Sequence, residues 1–222
     1  MEEGHMVYSD RQEAGQKLAK VLKQYAHNHT IILALPRGGV VVGAEVAKAL
    51  DVPLGVIMVR KIGHPYSQEF AVGAVAEDDQ PIYDPAEVKT VDPTWLKLEE
   101  EAAREVIDQR REYYYDDDHL PIDLHGNTVI LVDDGMATGL TMIAAIEAAR
   151  HKGAKSVIVA VPVASQSSLD DIEHVADGVY VLDDPAEFHG AVGAHYDQFN
   201  QVEDIQVRRI LHLQPRFGFG II

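Results

Sequence analysis

The chain has 222 residues, no cysteine, and 36 acidic against 19 basic side chains, a formal net charge of −17. Such a charge opposes docking on nucleic-acid phosphates or an anionic membrane surface, and the missing thiols exclude disulfides, thiolate metal sites and a cysteine nucleophile. An apolar share of 46% is enough for a substantial core, and no apolar run approaches the roughly 18 residues of a membrane span, so the expectation is a cytoplasmic protein in which any phosphate site is built locally.

From Ser9, a candidate N-cap, Ala14, Leu18, Val21, Leu22 and Tyr25 recur at helical spacing and predict an amphipathic helix ending near His27. Ile31–Leu35 reads as a buried strand stopped by Pro36-Arg37-Gly38-Gly39, Val40–Leu50 as a helix and Pro53–Val59 as a second strand. Residues Arg60 to Gln80 mix Gly, Pro and charge around the alternating stretch Phe70–Ala76, which predicts a mobile loop followed by a strand or hairpin arm. Asp92 caps a long charged helix, Pro93 to Arg111, before the acidic turn Asp116–Asp118.

Alternation then resumes: strand Val129–Val132, helix Gly139–His151, strand Ser156–Val161, helix Gln166–Ala176 and strand Gly178–Leu182. Short apolar strands alternating with helices predict an α/β fold, a mostly parallel sheet flanked by helices, with ligands at the carboxyl ends of the strands. The expected organisation is one domain over 1–222, with an inserted loop and long-helix region at about 62–124 and a small C-terminal hood at about 183–222. The length of the 93–111 helix fits packing either on a second copy, as a homodimer, or on its own sheet.

The informative segment is VILVDDGMATGLT, Val129 to Thr141. Gly135 and Gly139 permit φ > 0 and close backbone approach, and the free amides of a turn entering a helix form an anion nest that the Thr138 and Thr141 hydroxyls complete. Asp133 and Asp134 repel each other and any anion beside them, so they call for hydrogen-bond donors or a cation. A vicinal diol supplies the first, and Mg²⁺ with its waters the second. Phosphate on one side and diol on the other specifies a ribose 5-phosphate. An ordinary capped strand–turn–helix junction explains one acid, not the whole pattern.

This segment is similar to the thirteen-residue signature for 5-phosphoribosyl 1-diphosphate (PRPP) in type I phosphoribosyltransferases, matching its hydrophobic quartet, acidic pair and Thr/Gly loop. The resemblance implies transfer of the 5-phosphoribosyl group of PRPP, bound with Mg²⁺, to a nitrogen nucleophile such as a nucleobase, with release of pyrophosphate. It places the ribose 5-phosphate on Asp133, Asp134, Gly135, Met136, Ala137, Thr138, Gly139, Leu140 and Thr141, with Asp133 and Asp134 meeting the metal only through PRPP and water.

Pro36-Arg37-Gly38-Gly39 resembles the family's pyrophosphate loop, and Arg37 supplies a guanidinium suited to bidentate phosphate contact. Gly38 and Gly43 frame a Walker-like spacing, but Ala44-Glu45 stands where Lys-Ser/Thr is needed. Arg60-Lys61 resembles the basic pair before the family's mobile catalytic loop, with a role in neutralising pyrophosphate; a solvated pair flanking a turn is the plain alternative. The resemblance makes Asp133, Asp134, Arg60 and Lys61 the catalytic set. VRKIGHPYSQEFAVGAVAE, PVAS and HYDQFNQVED resemble a subgroup of uncertain acceptor.

An acceptor pocket is expected near Pro162–Ser165, Asp183–Phe188, Tyr196 or Phe199, although these aromatics also suit a core. The histidines form no recognisable metal set; His64 alone stands where a closing loop would carry it to the site, and Glu69 reads as solvent-facing. GxSxG and GxGxxG are both absent, against a serine hydrolase and a dinucleotide-binding oxidoreductase. The remaining rival is a non-catalytic PRPP-sensing regulator.

Overall fold

The structure is a computed structural model that describes residues 7–26, 29–77, 80–116 and 121–214, without the side chains of 67–70. Its centre is a parallel sheet of β1 (Thr30–Ala34), β2 (Leu54–Val56), β6 (Thr128–Val132), β7 (Ser156–Val161) and β8 (Gly178–Val181), in the order β2-β1-β6-β7-β8. β1 and β6 pair in register from Thr30↔Thr128 to Ala34↔Val132.

Alternation along each strand sends side chains to two cores. Ile32, Ala34, Ile130, Val132, Ile158 and Ala160 pack on one face with α1 (Arg11–Val21), α2 (Gly38–Leu50), α3 (Pro93–Tyr114) and α6 (Asp204–His212). Ile31, Leu33, Val129, Leu131, Val157 and Val159 pack on the other with α4 (Leu140–His151) and α5 (Gln166–Glu173). Both faces being covered is the reason these strands read as unbroken apolar runs. The α4 side presents Ala144, Ala145, Ala148 and Ala149, small residues that let the helix lie close to the sheet.

The region between the second and third central strands differs from expectation. Pro53–Val59 is not one strand: β2 ends at Val56, Ile57 and Met58 stay buried, and β3 (Val59–His64) begins a second, antiparallel sheet with β4 (Ser67–Ala76) and β5 (Ile82–Tyr83). Arg60 and Lys61 therefore sit inside a strand, opposite Val75 and Ala74, and do not open a loop. Ile62, Ala74, Val75 and Ala76 join the two main cores, so the small sheet packs into the body of the fold.

Asp92 caps α3 as its sequence predicts, accepting from the Thr94 and Trp95 amides at 2.9 Å, with Pro93 in the first turn. The helix runs three residues past Arg111 because Tyr114 is buried and donates its hydroxyl to Asp204 of α6. It buries Ala103 and Ile107 against its own chain. The cap of α1 is Asp10, not Ser9; Ser9 instead donates its amide and hydroxyl to Glu13 at 2.7 and 2.9 Å. His27, Asp117, Asp118 and His119 lie outside the described residues, as does the side chain of Glu69. No helix among the described residues is long and apolar enough to cross a membrane.

Candidate functional site

β1 and β6 lie side by side, yet the chain leaves β1 for α2 on one face and β6 for α4 on the other. Two loops diverging from neighbouring strand ends leave a crevice, the switch point at which open α/β sheets bind ligands. The loops start in contact, since the Leu35 amide donates to the Val132 carbonyl at 2.9 Å.

Pro36-Arg37 has a cis peptide bond, and Gly38 and Gly39 already form the first turn of α2. The absence of side chains on these glycines is what seats the turn against the acidic pair. A Cβ on Gly39 would lie 2.8 Å from the Cα and Oδ1 of Asp133 and from the Val132 carbonyl, and one on Gly38 would fall on the Asp134 carboxylate. The turn expected to hold pyrophosphate and the Asp133-Asp134 pair are thus brought into van der Waals contact.

Asp133 is half-buried, and its Oδ1 accepts from the Asp134 amide at 2.8 Å. Burial at the strand end, then the charge of Asp134, hold its carboxyl well above the usual range. Asp134 is tied more firmly: its Oδ2 accepts from Arg11 Nε at 2.7 Å, and its carbonyl accepts from the Tyr196 hydroxyl at 2.6 Å. Burial followed by the Asp134 charge raises Tyr196, which stays a neutral donor.

Beyond the pair, the turn is pinned from behind. The Met136 amide donates to the Val163 carbonyl and the Ser165 amide to the Met136 carbonyl, both at 2.9 Å, while the Ser165 and Ser168 hydroxyls donate to the carbonyls of Ala137 and Met136 at 2.7 and 3.2 Å. Ser165 also caps α5, so one residue fixes a helix and the turn together. Gly139 adopts φ 73° and caps α4 without any side-chain bond. The amides of Ala137, Thr138 and Gly139 have no protein acceptor among the described residues, and Ala137 and Thr138 are exposed. The N-terminus of this twelve-residue helix therefore lacks a side-chain cap, and backbone donors beside it are left unpaired among the described residues. Gly135 does not use positive φ; its Cβ would clash with Val192 and Val163 at 2.5 and 2.6 Å, so it is needed for close packing under the C-terminal segment.

That segment packs on a small cluster of its own. Tyr8, Ala14, Val163 and Tyr196 make a small separate core with Leu182, Phe188 and Val192. Beneath it the buried Asp183 carboxylate accepts from the Tyr8 hydroxyl at 2.6 Å and lies 3.2 Å from His195 Nδ1. Tyr196 and Asp183, expected near an acceptor, are thus structural supports of the site. Phe199 remains 37% exposed, with the Arg11 guanidinium 3.8 Å above its ring.

The basic residues divide. Arg37 faces α6, its Nη1 3.7 Å from Glu203 and 3.6 Å from Asp204. Arg60 shares a small crevice with Pro36, Met58 and Arg110, whereas strand alternation turns Lys61 to the opposite face of β3. His64 lies at the far end of the hairpin, its Nε2 3.1 Å from the Thr90 hydroxyl and its Nδ1 accepting from the Tyr66 amide at 3.2 Å. Arg11 was not singled out by sequence reasoning. The available signal was its place as the first residue of a helix, where the macrodipole disfavours a cation.

Among the described residues no group of three or more His, Cys, Asp or Glu side chains could hold a metal ion. The adjacent Asp133 and Asp134 carboxylates are the oxygen donors of the kind a hard cation takes at this strand end.

The fold is that of a parallel-sheet α/β protein with a crevice at the switch point between β1 and β6. Residues 8–197 match the family model described as "Phosphoribosyl transferase domain", and the chain belongs to that family. It is similar to a Mycobacterium tuberculosis protein named "Putative phosphoribosyl transferase Rv0571c", 38% identical over 202 residues and 90% of this chain. That match covers 45% of the relative, so the chain spans about half the length of the curated relatives it matches. Among solved structures it is similar to the protein TT1426 from Thermus thermophilus, at 40% identity and TM-score 0.77, covering 93% of this chain and 98% of that one.

Proposed function

We propose that this chain is a PRPP-dependent phosphoribosyltransferase that moves the 5-phosphoribosyl group to a nitrogen nucleophile and releases pyrophosphate. The observation that carries this reading is the juxtaposition at one switch point of the acidic pair, the free amides of Ala137–Gly139 and the Arg37–Gly39 turn. The 5-phosphate takes the Ala137–Thr141 amides and the Thr138 and Thr141 hydroxyls, the ribose diol donates to Asp133 and Asp134, and the diphosphate lies over Arg37, Gly38 and Gly39, with Arg60 beside Pro36. Lys61, on the other face of β3, reaches the diphosphate only if the hairpin moves.

Asp133 and Asp134 would be the residues facing a Mg²⁺ ion bound with PRPP, and such an ion would supply charge neutralisation to the leaving group. As the bond from C1 to the diphosphate breaks, the sugar becomes oxocarbenium-like. The fixed carboxylates stabilise that developing positive charge, and the guanidinium of Arg37 stabilises the departing anion. No side chain serves as a nucleophile, since the acceptor nitrogen attacks C1 directly.

The test is a screen of nucleobases and small amines for pyrophosphate release from Mg²⁺-PRPP. Release dependent on one acceptor supports transfer. Tight PRPP binding without release for any acceptor replaces the transferase with a PRPP-sensing regulator.

A further inference from the structure

Arg11 is placed against its local preference. It opens α1, where the helix macrodipole disfavours a cation, and it is only 9% exposed, which for a guanidinium demands partners. It has three: Nε donates to Asp134 at 2.7 Å, Nη1 donates to the Asn200 carbonyl at 2.8 Å, and the group lies over Phe199. Nη2 has no hydrogen-bond partner among the described residues. A cavity of about 390 Å³ opens beside it, lined by Arg11, Arg37, Gly38, Asp134, Phe199 and Gln201. Two guanidinium groups, those of Arg11 and Arg37, thus line one cavity, the second also lying 3.7 Å from Glu203 and 3.6 Å from Asp204.

We propose that Arg11 is the second guanidinium of the diphosphate site, and that its bridge to Asp134 is a placeholder exchanged when ligand enters. This rests on the reading of the chain as a PRPP-binding protein. Before ligand binds, Arg11 and Asp134 satisfy each other, so neither is left as an uncompensated buried charge. PRPP brings both replacements at once: its hydroxyls donate to Asp134, and its diphosphate oxygens accept from Arg11, within the same cavity as Arg37. Arg60, which the sequence put in this role, lies on the Pro36 side of the turn and outside the cavity lining. The exchange makes the two halves of the ligand cooperative, because whichever half binds first opens the bridge for the other.

The test is isothermal titration with magnesium pyrophosphate and with ribose 5-phosphate as separate ligands. In Arg11→Gln, pyrophosphate affinity is expected to fall by about ten- to a hundredfold, the loss of one charge-assisted contact. Ribose 5-phosphate affinity is expected to hold or rise, since Asp134 is released, and Arg11→Lys is expected to recover part of the pyrophosphate affinity. Unchanged pyrophosphate affinity in Arg11→Gln overturns the proposal. Equal loss of both ligands also overturns it, because Arg11 then serves only to position Asp134. Wild-type protein provides a check that does not depend on the variant folding: prior saturation with ribose 5-phosphate is expected to tighten pyrophosphate by about fivefold or more, and absent or opposite coupling refutes the exchange. Failure of the wild type to bind either ligand removes the PRPP reading itself, a result distinct from all of these.

Discussion

Adding a single methyl group at Gly38 or Gly39 separates two kinds of contact at the same turn. At Gly39 the atoms met at 2.8 Å include the Asp133 Cα and the Val132 carbonyl, and that carbonyl is held in the strand-end hydrogen bond from Leu35. Backbone cannot rotate aside, so Gly39→Ala is expected to cost about 1–3 kcal/mol as overpacking. At about 2–4 °C per kcal/mol for a chain of this size, that is a loss of roughly 2–12 °C in Tm. At Gly38 the atoms met are side-chain ends, the Asp134 carboxylate and Arg11 Nε, so the clash falls on the bridge between them. Gly38→Ala is therefore expected to weaken Mg²⁺-PRPP by about ten- to a hundredfold, from one charge-assisted contact of about 1.5–3 kcal/mol, and also to lower Tm by disturbing the buried Arg11–Asp134 bridge. Thermal melts and titration of both variants decide the matter. Wild-type PRPP affinity in Gly38→Ala, or an unchanged Tm in Gly39→Ala, refutes this account of how the turn meets the acidic pair.

Asp133→Asn is expected to raise Tm in the ligand-free protein while weakening PRPP, a trade of stability for binding visible in paired melts and titrations. The sign follows from a folded-state carboxyl raised above its unfolded value: its stabilising contribution is full in acid and is lost as pH rises through the folded value. The Tm advantage of Asn should accordingly grow from acid toward neutral pH, and a constant difference contradicts the assignment. Gly139→Ala, forced to hold φ 73°, is expected to cost about 1–2 kcal/mol and to weaken ribose 5-phosphate, measured by melting and titration. Tyr8→Phe removes a hydrogen bond to the buried Asp183 and is expected to lower Tm by about 3–12 °C through a contact of about 1.5–3 kcal/mol.

The sequence revealed the acidic strand end most clearly because its signal is local. Val129–Val132 is apolar on both faces, and the pair, the glycines and the threonines follow within one turn. The cap at Asp92 and the strand–helix alternation were legible for the same reason. The β2–β3 boundary was not: Pro53 to Val59 is apolar whether the chain continues in one sheet or crosses to another, because both environments bury it. Arg60-Lys61 read as a loop because Gly63 and Pro65 suggest a break, whereas pairing with β4, a tertiary interaction, makes them a strand. Arg11 and Tyr8 lie more than a hundred residues from their partners, Asp134 and Asp183, and no local pattern joins them. The candidate site was legible where its residues are contiguous, and the contacts that support it were hidden where the fold assembles them.

The most direct test of the central claim is titration of Mg²⁺-PRPP into the wild-type chain and into Asp133→Asn/Asp134→Asn, with melts to confirm that both are folded. The account predicts micromolar binding to the wild type and its loss in the folded double variant. Equal binding by the two would remove the acidic pair from the site, and no binding by the wild type would contradict the PRPP reading altogether.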